Sequence, residues 1–135
     1  MNNRKGNNNI IIMAAGMSSR MKQELGQDNL PIGLSKEISS LPKCMIRVGK
    51  GQKPFLYHLL THVQEAGYED VLIIINSNDK IIQPYCKGLS FNNMQLSFAA
   101  QKTPAGKTKP MGTSDAVLQG LLAKPEWKGK KFTVC

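Results

Sequence analysis

Apolar residues in this chain follow two patterns. One is unbroken: Ile10-Ile11-Ile12-Met13 and Val71-Leu72-Ile73-Ile74-Ile75 run without alternation. Short β-branched runs of this kind are strands buried on both faces, as in a parallel sheet. The other is periodic. In Pro54–Ala66, the residues Phe55, Leu56, Leu59, Leu60, Val63 and Ala66 form the wide stripe of an amphipathic helix. Pro54 suits its first turn, and Gly67 suits the left-handed position after its end. A third strand is expected over Met94–Ala100, with Leu96, Phe98 and Ala100 on one face and Gln101 at its carboxyl end. Phe132–Cys135 is a fourth apolar run.

A second helix opens at Gly112-Thr113-Ser114-Asp115. Thr113 reads as its N-cap. Asp115 lies in its first turn, where a carboxylate stabilises the dipole by roughly 0.3–1 kcal/mol. Val117, Leu118, Leu121 and Leu122 give its apolar face, and Lys124-Pro125 ends it. Lys80–Tyr85 reads as a short helix closed by Pro84 and Gly88. This order of elements predicts an α/β fold, a three-layer Rossmann-like arrangement with a mostly parallel sheet flanked by helices.

The remaining stretches are polar. Met1–Asn9 is Asn-rich and reads as a disordered arm before a domain over 10–135. Gln23–Leu41 has no consistently apolar face. It reads as an irregular active-site flap with room for a turn of helix. After it, Pro42 fixes an extended entry and presents Lys43 from a defined backbone position. Met45, Ile46 and Val48 serve as packing anchors, and Gly49-Lys50-Gly51 is a turn.

Composition narrows the class. A chain of 135 residues is one domain by length. No apolar run approaches the roughly 18 residues of a membrane span. Arg4 and Lys5 before Ile10–Met17 resemble a signal peptide, but that core is short and its flank is mostly Asn. Cys44, Cys86 and Cys135 are an odd number without metal-like spacing. They read as free thiols in a reducing compartment, so the cytoplasm is expected. The net charge is +9. Much of it sits in Lys102, Lys107, Lys109, Lys124, Lys128, Lys130 and Lys131, against Asp115 and Glu126. These lysines are scattered and not interleaved with aromatics. Solvated lysines with a few phosphate ligands are therefore expected, not a nucleic-acid face. His58 and His62 stand one helical turn apart, a spacing that can hold a metal. No third ligand is near them, so they read as solvated.

Chemistry is concentrated where the first strand ends. Ala14-Ala15-Gly16 would let a ligand lie against the backbone, and Gly16 tolerates a positive φ. Ser18, Ser19 and Arg20 add hydroxyls, N–H groups and a guanidinium. Such loops hold phosphates at the carboxyl end of a parallel strand. The stretch is neither Walker A nor the dinucleotide fingerprint, and alone it could be a plain turn.

Three stretches in order carry a resemblance. They are Met13-Ala14-Ala15-Gly16-Met17-Ser18-Ser19-Arg20-Met21; Pro42-Lys43 with Gly51-Gln52-Lys53-Pro54; and Gln101 with Gly112-Thr113-Ser114-Asp115-Ala116. Together they resemble the N-terminal portion of the sugar-phosphate nucleotidyltransferases, whose fold is GT-A-like. The resemblance implies that Met13, Ala14, Ala15, Gly16, Met17, Ser18 and Ser19 line a nucleotide. Gln101 and Gly112 would read the base edge, with Thr113 assisting. Arg20 and Lys43 would be the catalytic cations. The partners implied are a nucleoside triphosphate and a sugar 1-phosphate, with no nucleic acid and no membrane. Mg²⁺ is implied as cofactor. Its Asp ligand is expected beyond Cys135, so no metal ligand is assigned within this chain. The chain would then be the N-terminal piece of a longer protein and nearly inactive alone. The 22 residues between Arg20 and Lys43 form a longer stretch than many relatives have. Two further readings stay open: a cytidylyltransferase acting on phosphocholine or another small phosphate, and a non-catalytic nucleotide-binding domain.

Overall fold

A computed structural model describes residues 8–16 and 31–135. Its main sheet has four strands: β1 (Asn9–Met13), β4 (Asp70–Asn76), β5 (Gln95–Gln101) and β6 (Thr133–Val134). Their order is β5-β4-β1-β6, and every adjacent pair is parallel. The expected α/β architecture is present. Between β1 and β4 lie helix α1 (Ile32–Ser40), a 3₁₀ turn over Lys43–Met45, a two-stranded ribbon of β2 (Arg47–Val48) and β3 (Lys53–Pro54), and helix α2 (Phe55–Glu65). Helix α3 (Ile82–Lys87) joins β4 to β5, and α4 (Thr113–Ala123) joins β5 to β6.

The unbroken apolar runs are explained by two cores, one on each face of the sheet. Ile10, Ile12, Val71, Ile73 and Ile75 pack against Leu56, Leu60 and Val63 of α2 and against Ile82 and Cys86 of α3. The alternate residues Ile11, Leu72 and Ile74 pack against Ala116 of α4 and Trp127. A strand covered on both faces has no polar position to spare. The run Ile10–Met13 is thus a central strand.

Several boundaries and faces differ from expectation. The polar arm stops short of Asn9, which pairs with Asp70 in the sheet and donates from Nδ2 to the Lys131 carbonyl at 3.0 Å. The rest of that arm, residues 1–7, lies outside the described residues. The expected flap contains α1. Of its nine residues only Ile38 is buried, too little to mark a helix in the sequence. Ser39 and Ser40 hydroxyls donate back to carbonyls of Ser35 and Lys36. Pro84 lies inside α3 and does not end it. In the first turn a proline's missing N–H removes no bond. On β5, Leu96 and Phe98 meet the first core, but Ala100 is exposed and the buried alanine is Ala99.

The largest revision concerns α4. Its buried residues are Ala116 and Gly120, while Leu118 and Leu122 are 57% and 73% exposed. Helix and sheet approach so closely that a Cβ on Gly120 would sit 2.5 Å from Ile74 Cδ1 and 3.2 Å from Leu72 Cδ2. Small residues, not leucines, define the inner face. Val117 and Leu121 pack at its flanks.

Lys124 is also not solvated. It is 8% exposed, and its Nζ lies 2.8 Å from Asp70 Oδ1 and 3.4 Å from Glu126 Oε1. Trp127 Nε1 donates to Asp70 Oδ2 at 2.8 Å. The pair clamps the amino end of β4 to the segment after α4, away from the strand ends that form the site.

Candidate functional site

The carboxyl ends of β1, β4 and β5 open on one edge of the sheet, and the tip of β1 is its centre. Met13, at the end of β1, is followed by Ala14, Ala15 and Gly16. Both alanines are buried, whereas Gly16 is exposed. Ala14 N–H donates to the Ile74 carbonyl at 2.8 Å, and Met13 N–H donates to the Cys135 carbonyl at 2.8 Å. The tip is therefore held from both neighbouring strands. Gly16 does not use a positive φ. Among the described residues a Cβ there would meet nothing within 4 Å.

A cavity of about 360 Å³ lies on one side of this tip. Met13, Ala15, Gly16, Gln101, Lys109, Pro110, Gly112 and Thr113 line it. The residues assigned to base reading, at β5 and the start of α4, do come together with the β1 tip. Gln101 is 4% exposed. Its Nε2 donates to the Gly112 carbonyl at 2.9 Å and to Asp115 Oδ2 at 3.0 Å. Gly112, not Thr113, caps α4. Its φ of 98° and ψ of −170° fall in a region essentially reserved for glycine. Thr113 is the first helical residue and makes no capping bond. It lines the cavity instead.

Lys43 lines a second cavity of about 490 Å³ with Met13, Ala14, Gly16, Cys44 and Phe55 among others. Met13 and Gly16 border both cavities. Lys43 and Gln101 thus flank the same strand tip from different cavities. Pro42 holds an extended conformation (φ −57°, ψ 145°) before the 3₁₀ turn that carries Lys43. Met17, Ser18, Ser19 and Arg20 lie outside the described residues, so the proposed Arg20–Lys43 pair is represented here by Lys43.

One residue at the site was missed. Lys109 enters the cavity from the basic loop after β5. In the sequence it is one of several scattered lysines, and only the return of that loop to the β1 tip sets it apart.

The described residues do not provide a cage for Mg²⁺. Among them no group of three His, Cys, Asp or Glu side chains could hold a metal ion. The nearby carboxylates are engaged: Asp115 accepts from Gln101 and Gln119, and Asp79 accepts from the N–H groups of Ile81, Ile82 and Gln83. His62 is exposed and pairs with Glu65 at 3.1 Å. His58 differs from the expectation of a solvated ring: its Nε2 is buried and has no hydrogen-bond partner among the described residues.

All three cysteines are free thiols. Burial pushes the Cys44 thiol up to about 11 and the Cys86 thiol up to about 12. A neutral thiol is a poor nucleophile, so neither is prepared for covalent chemistry. No helix among the described residues is long and apolar enough to cross a membrane.

No protein-family model matches the chain. It is similar to the bifunctional protein GlmU of Syntrophomonas wolfei subsp. wolfei (strain DSM 2245B / Goettingen), with 27% identity over 108 residues. That match takes in 80% of this chain and 19% of the length of that relative.

Proposed function

We propose that this chain forms the nucleotide-binding part of a nucleotidyltransferase. The enzyme would transfer a nucleoside monophosphate from a nucleoside triphosphate to a sugar 1-phosphate and release pyrophosphate. The observation that carries this reading is the shared cavity at the β1 tip: Gln101, Gly112 and Thr113, distant in sequence, line it with Met13, Ala15 and Gly16. The motif resemblance requires that grouping. The similarity to GlmU over 80% of the chain supports nucleotidyl transfer in general.

In this reading the base lies on the Gln101 side and the phosphates on the Lys43 side. The sugar phosphate oxygen attacks the α-phosphorus in line. The bond to the β-phosphate oxygen breaks, and negative charge collects on the departing pyrophosphate. Little covalent work is left to the protein, so positioning and charge stabilisation dominate. The Lys43 ammonium and the Arg20 guanidinium would offset that charge. No step is assigned to Mg²⁺, since the described residues do not cage it.

The test is pyrophosphate release by the protein that carries this sequence. Four nucleoside triphosphates are offered with Mg²⁺ against a panel of sugar 1-phosphates and phosphocholine. Turnover with one sugar-phosphate pair is expected. Lys43→Ala should lower it by about 10²–10³-fold, the usual loss for a donor facing developing charge. Turnover with phosphocholine would replace the acceptor class. Saturable nucleotide binding by folded protein without turnover on any pair would favour a binding domain.

A further inference from the structure

The Gln101 amide is held in one orientation by a chain of hydrogen bonds that begins at the backbone. Lys102 N–H can only donate, so the atom it meets at 2.9 Å is Gln119 Oε1. That contact turns Gln119 Nε2 toward Asp115 Oδ2, which accepts at 2.7 Å. The same carboxylate oxygen accepts from Gln101 Nε2 at 3.0 Å, and the Gly112 carbonyl accepts from Gln101 Nε2 at 2.9 Å. Neither acceptor has a proton to give. Turning the Gln101 amide over would set its Oε1 against a carbonyl and a carboxylate. Both Nε2 protons are committed, and Oε1 has no hydrogen-bond partner among the described residues. Gln101 lines the cavity at the β1 tip. A ligand there therefore meets an acceptor and no donor from this side chain.

We propose that Asp115, braced by Gln119, is a positioning residue that sets base selectivity: it fixes Gln101 so that only Oε1 faces the base. Every nucleobase carries a ring N–H or amino group, so the site selects the base whose donor falls opposite Oε1. This inference rests on the nucleotide reading above. A site built around one hydrogen bond rejects analogues that cannot complete it, because its own polar group is left unpaired.

Two measurements on the full chain test it. The first needs no nucleotide: exchange of the Gln101 side-chain amide protons, followed by NMR. They should exchange more slowly than those of exposed glutamines. Asp115→Ala should speed their exchange by about 3–10-fold, the range of one hydrogen bond's net worth. Asp115→Asn should keep them slow, because a single carboxamide oxygen can accept both bonds now made to Oδ2. The second measurement is the affinity of each variant for the four nucleoside triphosphates. The wild-type chain should prefer one of them. Asp115→Ala should shrink that preference by about 3–10-fold, and Asp115→Asn should retain it. Gln119→Leu, which leaves Asp115 in place, should shift both readouts in the same direction and provides the test if Asp115→Ala fails to fold.

Fast exchange of the Gln101 amide in wild type would overturn the inference without reference to any nucleotide. Unchanged preference in folded Asp115→Ala would overturn it while leaving the nucleotide reading intact. Slow exchange together with no binding of any triphosphate would show that the nucleotide reading has failed, and the role of Asp115 in base selectivity with it.

Discussion

Single residues at this site act mainly through what they leave open. Gly16 adds no side chain above the β1 tip, and Gly112 adopts a backbone that other residues avoid. The cysteines give a direct check on residue environments. For Cys44 and Cys86 the folded pKa is raised by burial, to about 11 and about 12. Their contribution to stability is complete below the unfolded thiol value and is lost as pH rises through the folded values. At about pH 10, above the ordinary thiol value, both should still be protonated in the folded chain. A disulfide reagent should then label exposed Cys135 quickly, half-buried Cys44 slowly, and buried Cys86 only with unfolding. Fast labelling of all three in folded protein would contradict the burial described. The small residues Ala14, Ala15 and Gly16 were legible in the sequence as cavity lining at the β1 tip. Lys109 was not, since nothing local separates it from its neighbours.

Elements were legible where burial is dense and illegible where it is thin. The runs at β1 and β4 and the stripe of α2 each bury several large residues, so the pattern is strong. Helix α1 buries only Ile38. Helix α4 was recognised, but its face was misread because hydrophobicity favours Leu118 and Leu122 over the small residues that meet the sheet. Gly120→Val should cost about 1–3 kcal/mol by overpacking against Leu72 and Ile74, read as a lower urea midpoint. A midpoint equal to wild type would mean that the close approach is not real. Asp70 and Lys124 were illegible for another reason: 54 positions separate them, and a lysine in sequence reads as solvated. Among the described residues, Asp70→Ala leaves the buried Lys124 ammonium with Glu126 as its one carboxylate, at 3.4 Å. A loss of about 3 kcal/mol is expected on denaturation. A change under about 0.5 kcal/mol would match a surface pair instead.

At the scale of the molecule, the strand order β5-β4-β1-β6 determines which residues meet at the β1 tip. The chain moves outward from β1 through β4 to β5, then returns to the other side of β1. Sheets of this kind take ligands at the carboxyl ends, where the order reverses. That geometry sets Gln101, Gly112 and Thr113 beside the Ala14–Gly16 tip although they lie far along the chain. The basic residues divide along the same lines: Lys43 and Lys109 line the site cavities, Lys124 is buried in a clamp, and Lys128, Lys130 and Lys131 are exposed.

The central claim is that a nucleotide binds at the β1 tip. Its most direct test is an NMR titration of the ¹⁵N-labelled chain with each nucleoside triphosphate in Mg²⁺. The predicted result is saturable shifts at the amides of Ala14, Ala15, Gly16, Gln101, Gly112 and Thr113 with one triphosphate, persisting at high salt. Shifts confined to the exposed lysines over 128–131 and abolished by salt, or no shifts at all from folded protein, would contradict it.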